Sequence, residues 1–216
     1  MWYTLTMKRL ILYSLCFLIV YQVWKDNYNP LQKAVDSNFL ILNKTQNTCG
    51  SGTHFKYKNK LYVLTCQHLK HYPTDRLVAV KGEHKFPLVL VKQDKINDLA
   101  LYELYYSEKI PYTTLADNEP NIGQIIYSVG NPNGTPDIIS EGIIAKNKEH
   151  TFYSTCKVFF GCSGGSATYQ GKLIGVFTIL VSLCRTDKTD TSDIVTSVVY
   201  SEYVNLKTIK NFLNEI

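Results

Sequence analysis

The chain has 216 residues, of which 45% are hydrophobic, and its 23 Lys and Arg against 18 Asp and Glu give a net charge of +5. This apolar content is enough to bury a core, which excludes global disorder, and the length suits one domain or two small subdomains that share a site. The basic residues are scattered and no aromatic stacking platform accompanies them, so we expect no nucleic-acid partner.

The first 30 residues differ in composition from the remainder. Residues 7–9 (Met-Lys-Arg) form a short positive run, and residues 10–24 are almost wholly apolar. About 15 apolar residues fall short of the roughly 20 that a membrane-spanning helix needs, but they are typical of a signal peptide or a short signal anchor. Because no small-x-small cleavage site follows, the pattern favours an uncleaved anchor; a buried N-terminal helix is the remaining alternative.

This segment, residues 1–30, also bears on the location of the protein. Lys8 and Arg9 would remain on the cytoplasmic side, which places residues 31–216 outside the cytoplasm. We therefore expect an N-terminal apolar helix that contacts the membrane, and a protein that is membrane-anchored or secreted with its main domain extracytoplasmic.

Beyond residue 30 the chain consists of short apolar runs separated by turn residues, beginning with residues 39–42. Hairpins are predicted around Lys58-Asn59 and Gly82-Glu83, since each pair stands between two apolar runs. A cluster of turn residues at 130–134 ends a further run. In all, about a dozen short strands predict an all-β architecture of barrels.

The end of the chain breaks this strand pattern. Its apolar side chains recur at helical spacing, which predicts a short C-terminal helix packed on the body of the protein. These apolar positions are Leu206, Ile209, Phe212, Leu213 and Ile216.

Cysteines are few and irregularly spaced. Five lie outside the apolar segment, and an odd number cannot form a complete set of disulfides within one chain. No CxxC and no zinc-finger spacing occurs, so we expect no metal site, and nothing in the sequence indicates a cofactor. The six cysteines are Cys16, Cys49, Cys66, Cys156, Cys162 and Cys184.

Three local signatures carry candidate chemistry. A strand ends in Thr65-Cys66-Gln67-His68, Asp98 stands at the start of an apolar strand, and Ser163 is flanked by glycines in the segment 161–165. Each of these residues taken alone is explained by a structural role: a packing histidine, a turn aspartate and a loop serine. Together they occur in the order His, Asp, Ser within an all-β pattern, which favours a functional interpretation.

The chemistry explains why these residue types belong together. A serine hydroxyl is a poor nucleophile at neutral pH and needs a neutral imidazole within hydrogen-bond reach as its base. The imidazole in turn needs a carboxylate that holds its tautomer and stabilises the imidazolium. A tetrahedral intermediate needs N–H donors around its oxyanion, and glycines allow the close backbone approach that this requires.

These motifs resemble those of chymotrypsin-fold, trypsin-like serine proteases. TCQH resembles their T-x-x-H motif, NDLALYEL is similar to their Asp-Leu-Ala-Leu strand, and GCSGGSATYQGKLIGVFT resembles their G-D/N-S-G-G-P segment and the strand pair after it. Segment 49–52 resembles the G-S-G strand that precedes the histidine in the family, and segments 126–132 and 140–144 are similar to stretches of HtrA-type and other compact bacterial or viral members. The resemblance covers residues 35–216.

This resemblance implies a fold, an activity and a set of site residues. The fold is two six-stranded antiparallel β-barrels with the site in the cleft between them: an N-barrel at about 35–116, a C-barrel at about 117–204 and a C-terminal helix at 205–216. His68 would be the general base, Asp98 its orienting carboxylate and Ser163 the nucleophile, with the oxyanion hole formed by the N–H groups of Gly161 and Ser163. The implied activity is that of a serine endopeptidase on protein or peptide substrates.

The chain departs from the family pattern at several positions. Cys162 replaces the usual Asp or Asn before the nucleophile, and a Cys162 nucleophile is a minor alternative. Lys157 stands where trypsin has its specificity Asp, and Leu180 stands where trypsin has a pocket glycine. We therefore expect an uncharged, apolar or small P1 residue rather than Lys or Arg, with an acidic P1 as the alternative. The alternative to an enzyme is a catalytically inactive binding protein of the same fold.

The resemblance also suggests disulfides in an exported domain. A hairpin centred on Lys58-Asn59 would set Cys66 opposite Ser51, about 7–8 Å diagonally from Cys49, which is long for a disulfide. Chymotrypsin-type proteases carry a bridge in this neighbourhood, so Cys49–Cys66 is a candidate pair. A second candidate is Cys156–Cys184, which would leave Cys162 free.

Overall fold

A computed structural model describes residues 13–14, 16–18, 29–105, 110–185, 195–214 and 216, with backbone alone at 182–185 and 195–199. The first half forms a closed barrel because β1 pairs with both β2 and β4, in the order β1-β4-β5-β6-β3-β2. Its strands are β1 (Asn38–Asn43), β2 (Thr48–Tyr57), β3 (Lys60–Thr65), β4 (Leu77–Lys81), β5 (His84–Asp94) and β6 (Leu99–Leu104). A short strand β7 (Thr113–Thr114) pairs with β2 in parallel.

The second half forms another closed antiparallel barrel, in the order β10-β13-β12-β11-β8-β9. Its strands are β8 (Ile125–Gly130), β9 (Ile138–Asn147), β10 (Thr151–Ser154), β11 (Ser166–Tyr169), β12 (Lys172–Arg185) and β13 (Val195–Asn205). Helix α1 (Pro30–Asp36) precedes the first barrel and helix α2 (Leu206–Asn214) follows the second. The prediction of two six-stranded antiparallel barrels with a short C-terminal helix is confirmed.

Turn chemistry sets the register of the first hairpin. Lys58 and Asn59 both have positive φ, 42° and 65°, as a two-residue turn matching the twist of its strands requires. The turn pairs Tyr57 with Lys60 and, further along, Thr53 with Leu64. The second predicted hairpin also has a two-residue turn, with Lys81 opposite His84, but only Gly82 of that turn has positive φ, 58°.

One apolar core joins the two barrels. Side chains of β2, β3 and β6 in the first barrel pack against β12 and β13 of the second and against the apolar face of α2. Since helix α2 is amphipathic and short, this burial rather than helix propensity holds it in place. The cluster comprises Phe55, Tyr62, Leu64, Leu99, Leu101, Leu173, Val176, Val204, Ile209, Phe212 and Leu213.

The predicted N-terminal apolar helix or anchor, residues 1–30, lies largely outside the described residues. Its described positions at 13–14 and 16–18 are helical and exposed. In the part of the chain that the structure describes, no helix is both long enough and apolar enough to cross a membrane.

The predicted Cys49–Cys66 disulfide is wrong, because both residues are free thiols. The hairpin register is the expected one, but the two sulfurs point to different neighbours. The Cys66 sulfur lies 3.8 Å from the Phe177 carbonyl oxygen, whereas the Cys49 sulfur lies beside Gly134 of the second barrel. Cys156 is also free, and the side chain of its suggested partner, Cys184, lies outside the described residues.

Candidate active site

The position of His68 follows from the way β3 ends. A single 3-10 turn, Gln67–Leu69, follows the strand and carries His68 to the edge of the barrel. There its ring Nδ1 lies 2.6 Å from Asp98 Oδ2, and its backbone N–H donates to Asp98 Oδ1 over 2.9 Å. Because the carboxylate accepts at Nδ1, that nitrogen carries the proton and the lone pair of Nε2 is free to act as a base.

Asp98 is itself held by the turn that precedes β6. Asp94 Oδ1 accepts from the N–H groups of Ile96 and Asn97, and Asn97 Nδ2 donates to Asp94 Oδ2 over 2.6 Å. Asp98 then adopts φ 53°, a left-handed conformation that Asp tolerates better than most residues. The sequence analysis identified Asp98 but missed the supporting carboxylate of Asp94, whose signal was its position four residues upstream in the same turn.

The environment of Asp94 keeps this support charged. Partial burial alone would favour the neutral acid, but hydrogen bonds from Asn97 and Ile96, together with the charge of Lys92, lower the pKa of Asp94 below its ordinary value. An ionised Asp94 is the acceptor that the turn needs, so the turn that presents Asp98 is stable at neutral pH.

Ser163 lies in a loop of the second barrel that is anchored on the first barrel. The Ser51 N–H of β2 donates to the Ser163 carbonyl oxygen over 2.7 Å, and Ser51 Oγ donates to the Gly161 carbonyl oxygen over 2.8 Å. Gly161 and Gly164 have φ of 94° and 84°, a backbone conformation that side chains rarely adopt. The anchoring role of Ser51 was missed, although it stands in the Gly-Ser-Gly segment that the resemblance singled out.

Two backbone donors of this loop are left available. Within the described ranges, the N–H groups of Gly161 and Ser163 have no hydrogen-bond acceptor, whereas the intervening and following N–H groups do. The Cys162 N–H donates to the Phe159 carbonyl oxygen, and the Gly164 N–H donates to the Phe177 carbonyl oxygen. A pair of unpaired donors beside a serine is the arrangement that stabilises an oxyanion.

The Cys66 thiol lies beside the ring of His68. Its sulfur is 3.8 Å from His68 Nε2. Among the described residues there is no direct hydrogen bond between Ser163 and His68, a looseness that is common before substrate binds. Burial raises the pKa of the Cys66 thiol well above its usual range, so the thiol is neutral. The sequence analysis did not foresee this contact.

The geometry does not favour Cys162 as a nucleophile. Its side chain is buried in the core of the second barrel, where it lies against Gly130 and the backbone of Phe159. Burial raises the pKa of this thiol above its usual value, which keeps it in the unreactive neutral form.

The surface beside Gly161 is largely apolar. Phe159 and Phe160 immediately precede the glycine and are 59% and 81% exposed. Leu180 packs on the edge of the second-barrel core, and Lys157 is exposed, with its N–H donating to Ser140 Oγ over 2.7 Å. The exposed phenylalanine pair was not singled out from the sequence.

Comparison with known proteins agrees with this geometry. Residues 50–176, more than half of the chain, match the trypsin-like peptidase domain. The chain belongs to the trypsin-like peptidase family. The resemblance inferred from the sequence motifs is therefore confirmed.

The chain is also similar to individual bacterial endoproteases. It is 25% identical over 143 residues to serine endoprotease DegS of Escherichia coli, covering 61% of this chain and 40% of DegS. It is 26% identical over 135 residues to periplasmic serine endoprotease DegP of the same organism, covering 57% of this chain and 28% of DegP. The chain thus spans less than half the length of either relative.

A solved structure shares the fold of this chain. The crystal structure of a serine endoprotease from Yersinia pestis superposes with a TM-score of 0.72, at 18% identity, over 88% of this chain and 65% of that chain. The double barrel is therefore common to both proteins.

Proposed function

We propose that this protein is a serine endopeptidase in which Ser163 is the nucleophile, His68 the general base and Asp98 the residue that orients His68. The observation that carries the proposal is the 2.6 Å contact between His68 Nδ1 and Asp98 Oδ2, which leaves the opposite ring nitrogen, Nε2, without a carboxylate partner. Family membership and the endoprotease names of the relatives support it.

The proposed reaction passes through an acyl-enzyme. Ser163 Oγ gives up its proton to His68 Nε2 and attacks the carbonyl carbon of the scissile peptide bond. The N–H groups of Gly161 and Ser163 stabilise the resulting oxyanion. The imidazolium then protonates the leaving amine, and water, activated by the same imidazole, releases the acid product.

We further propose that the substrates are proteins or peptides and that the protein acts outside the cytoplasm. The name of DegP describes it as periplasmic, and the apolar N-terminal segment of this chain is typical of an export signal. Attachment to a membrane through residues 1–30 remains a prediction from the sequence.

Covalent labelling tests the proposal most directly. A fluorophosphonate probe should label the 216-residue protein, while Ser163→Ala abolishes labelling and casein hydrolysis, and His68→Ala lowers both by roughly 10⁴- to 10⁶-fold. Cys162→Ala is the matched control, because it alters the neighbouring buried thiol and should still be labelled.

Two results would overturn the assignment. Labelling that survives Ser163→Ala but not Cys162→Ala would make Cys162 the nucleophile. A folded wild-type protein that neither reacts with the probe nor cleaves casein would instead be an inactive binding protein of the same fold.

A further inference from the structure

Cys66 and His68 offer two metal-binding atoms on the same side of the cleft. Cys66 Sγ lies 3.8 Å from His68 Nε2, and the two residues are separated by one position in the chain. The Nε2 atom faces away from Asp98, so its lone pair is not used by the carboxylate. A cysteine sulfur and an imidazole nitrogen are donor types that zinc prefers.

The separation of the two atoms suits a single zinc ion. With Zn–S at about 2.3 Å and Zn–N at about 2.05 Å, a tetrahedral angle places sulfur and nitrogen roughly 3.5–3.6 Å apart. The observed 3.8 Å differs from this value by ~0.2–0.3 Å, which a small rotation of either side chain removes. Neither residue needs a backbone movement to bind the ion.

Asp98 supports this site without being a ligand. Ligand atoms of Cys66, His68 and Asp98 lie within 4.8 Å of one another, but both carboxylate oxygens are already bound to His68. A carboxylate that accepts from the far nitrogen of a metal-binding imidazole fixes the tautomer and the ring direction. Asp98 is therefore a positioning residue for the ion, as it is for the proposed base.

The two protein ligands differ in exposure. Cys66 is fully buried and the His68 side chain is 41% exposed, so solvent meets the site at the imidazole. A zinc ion held by these two residues takes water as its remaining ligands, as catalytic zinc sites take water beside their protein ligands.

We propose that Cys66 and His68 form a binding site for Zn²⁺ in the cleft between the barrels. On binding, the S–H bond of Cys66 breaks, a zinc–thiolate bond forms, and the proton passes to solvent; no electron is transferred. The thiol is neutral without the ion because it is buried, but a coordinated metal deprotonates the thiol that binds it. The sequence predicted no metal site, because its cysteines have neither CxxC nor zinc-finger spacing. Hard cations such as Mg²⁺ and Ca²⁺ do not bind, because they require oxygen ligands.

If the proposed function holds, zinc at this site is a reversible inhibitor. The ion occupies His68 Nε2, the atom that must accept the Ser163 proton, so the base and the metal exclude each other. When the zinc ion is removed, His68 Nε2 can again accept a proton, because the ion binds reversibly. This consequence rests on the proposed function, whereas the binding of zinc does not.

Binding is tested with Co²⁺, whose bond to a thiolate gives a charge-transfer band in the near ultraviolet. The full 216-residue protein should show this band on titration with Co²⁺, and Zn²⁺ should remove it by displacement. Cys66→Ser should abolish the band, and Asp98→Asn should weaken Co²⁺ binding roughly 10- to 100-fold. Cys49→Ser is the matched control, since its thiol lies by Gly134, and it should leave the band unchanged.

The outcomes separate this proposal from that of enzymatic activity. A folded wild-type protein without the band, or a band that survives Cys66→Ser, overturns the zinc site whatever the activity. If Cys66→Ser does not fold, His68→Gln serves instead and must weaken binding at least ~10-fold, because a direct ligand is lost. In active protein, micromolar Zn²⁺ should inhibit hydrolysis, chelator should reverse the inhibition, and the Cys66→Ser variant should be resistant relative to its own zinc-free rate.

Discussion

At the scale of single residues, one carboxylate controls the imidazole of His68. Asp98 accepts from both the ring and the backbone of His68, so it sets the ring direction and the tautomer together. Asp94 and Asn97 hold the turn in which Asp98 adopts its left-handed conformation. The chemistry at Nε2 therefore depends on residues that never reach the substrate.

Replacing Asp98 with Asn isolates this effect. The amide retains the shape of the side chain but can donate to Nδ1, which favours the tautomer that carries its proton on Nε2. We expect kcat to fall by ~10⁴-fold with little change in KM. Steady-state kinetics on a peptide substrate measure the loss, and an unchanged unfolding midpoint shows that the fold is intact. A loss of less than tenfold in a folded variant would contradict the assigned role.

Lys157 and Leu180 lead to a prediction about specificity. Neither offers a negative charge to a cationic P1 side chain, and exposed Phe160 adds apolar surface beside Gly161. We expect cleavage after uncharged, apolar or small residues. Substrates with Arg or Lys at P1 should have a kcat/KM about 10- to 200-fold lower, which corresponds to the 1–3 kcal/mol by which an apolar pocket typically discriminates between side chains. Sequencing of cleavage products from a peptide library measures this preference, and dominant Arg or Lys at P1 would refute it.

At the scale of structural elements, the site depends on a loop from one barrel docking on a strand of the other. The 161–165 loop bonds to Ser51 of β2, while Gly164 N–H donates to the Phe177 carbonyl oxygen of β12. Gly164 faces the Thr65 side chain and the Ser51 carbonyl oxygen so closely that a Cβ atom there would overlap both. The loop can therefore dock only if residue 164 has no side chain.

Two glycines with the same φ allow the destabilising effect of this overlap to be distinguished from that of backbone strain. Gly123 and Gly164 both have φ of 84°, but a Cβ at Gly123 would meet no atom within 4 Å. Gly123→Ala should cost about 1–2 kcal/mol from left-handed strain alone. Gly164→Ala should cost several kcal/mol, because well-packed structure must move as well. Urea denaturation measures both, and equal losses would show that the close approach has no energetic consequence.

At the scale of the whole molecule, the barrels form one cooperative unit. Their shared core includes side chains from both barrels and from α2, and the two halves of the site lie on opposite sides of the cleft.

Ionisable side chains are buried in the barrels as well. Tyr102 lies in the first barrel and Tyr203 in the second, and both are almost fully removed from solvent. The stability of the molecule should therefore depend on pH at the alkaline end.

Alkaline solution should destabilise the protein through these two tyrosines. Burial raises the pKa of Tyr102 and of Tyr203 above the ordinary phenol value, with nearby Cys66 and Cys156 adding to the shift. The pKa of each tyrosine is higher in the folded than in the unfolded protein. The contribution of the neutral phenols to the free energy of unfolding is therefore complete below about pH 10 and is lost as the pH rises above that value. The free energy of unfolding should fall by up to ~1.4 kcal/mol per pH unit for each tyrosine.

Denaturation in urea between pH 8 and 11 measures this slope. Tyr203→Phe removes one titrating group and keeps the ring, so its unfolding free energy should decline less steeply with pH than that of the wild type. Tyr102→Phe should act in the same direction. A slope that neither substitution changes would mean that other groups cause the alkaline loss.

The sequence by itself determined the features that depend on neighbouring residues. Short apolar runs and turn residues predicted all-β barrels, and the Lys58-Asn59 turn predicted the hairpin register, because both signals act within a few residues. The number of barrels came from the resemblance to trypsin-like proteases. The spacing of apolar residues at the end of the chain predicted helix α2. The motifs around His68, Asp98 and Ser163 identified the candidate site and the family, although their catalytic roles stay predictions.

Only the tertiary structure decided which distant side chains share a contact. Ser51 and Gly161 are separated by 110 positions, yet their hydrogen bond joins the barrels. The Cys66 sulfur turns to His68 and to Phe177, 111 positions away, instead of to Cys49. The direction of a buried side chain depends on how two barrels pack around it, and no local pattern carries that information.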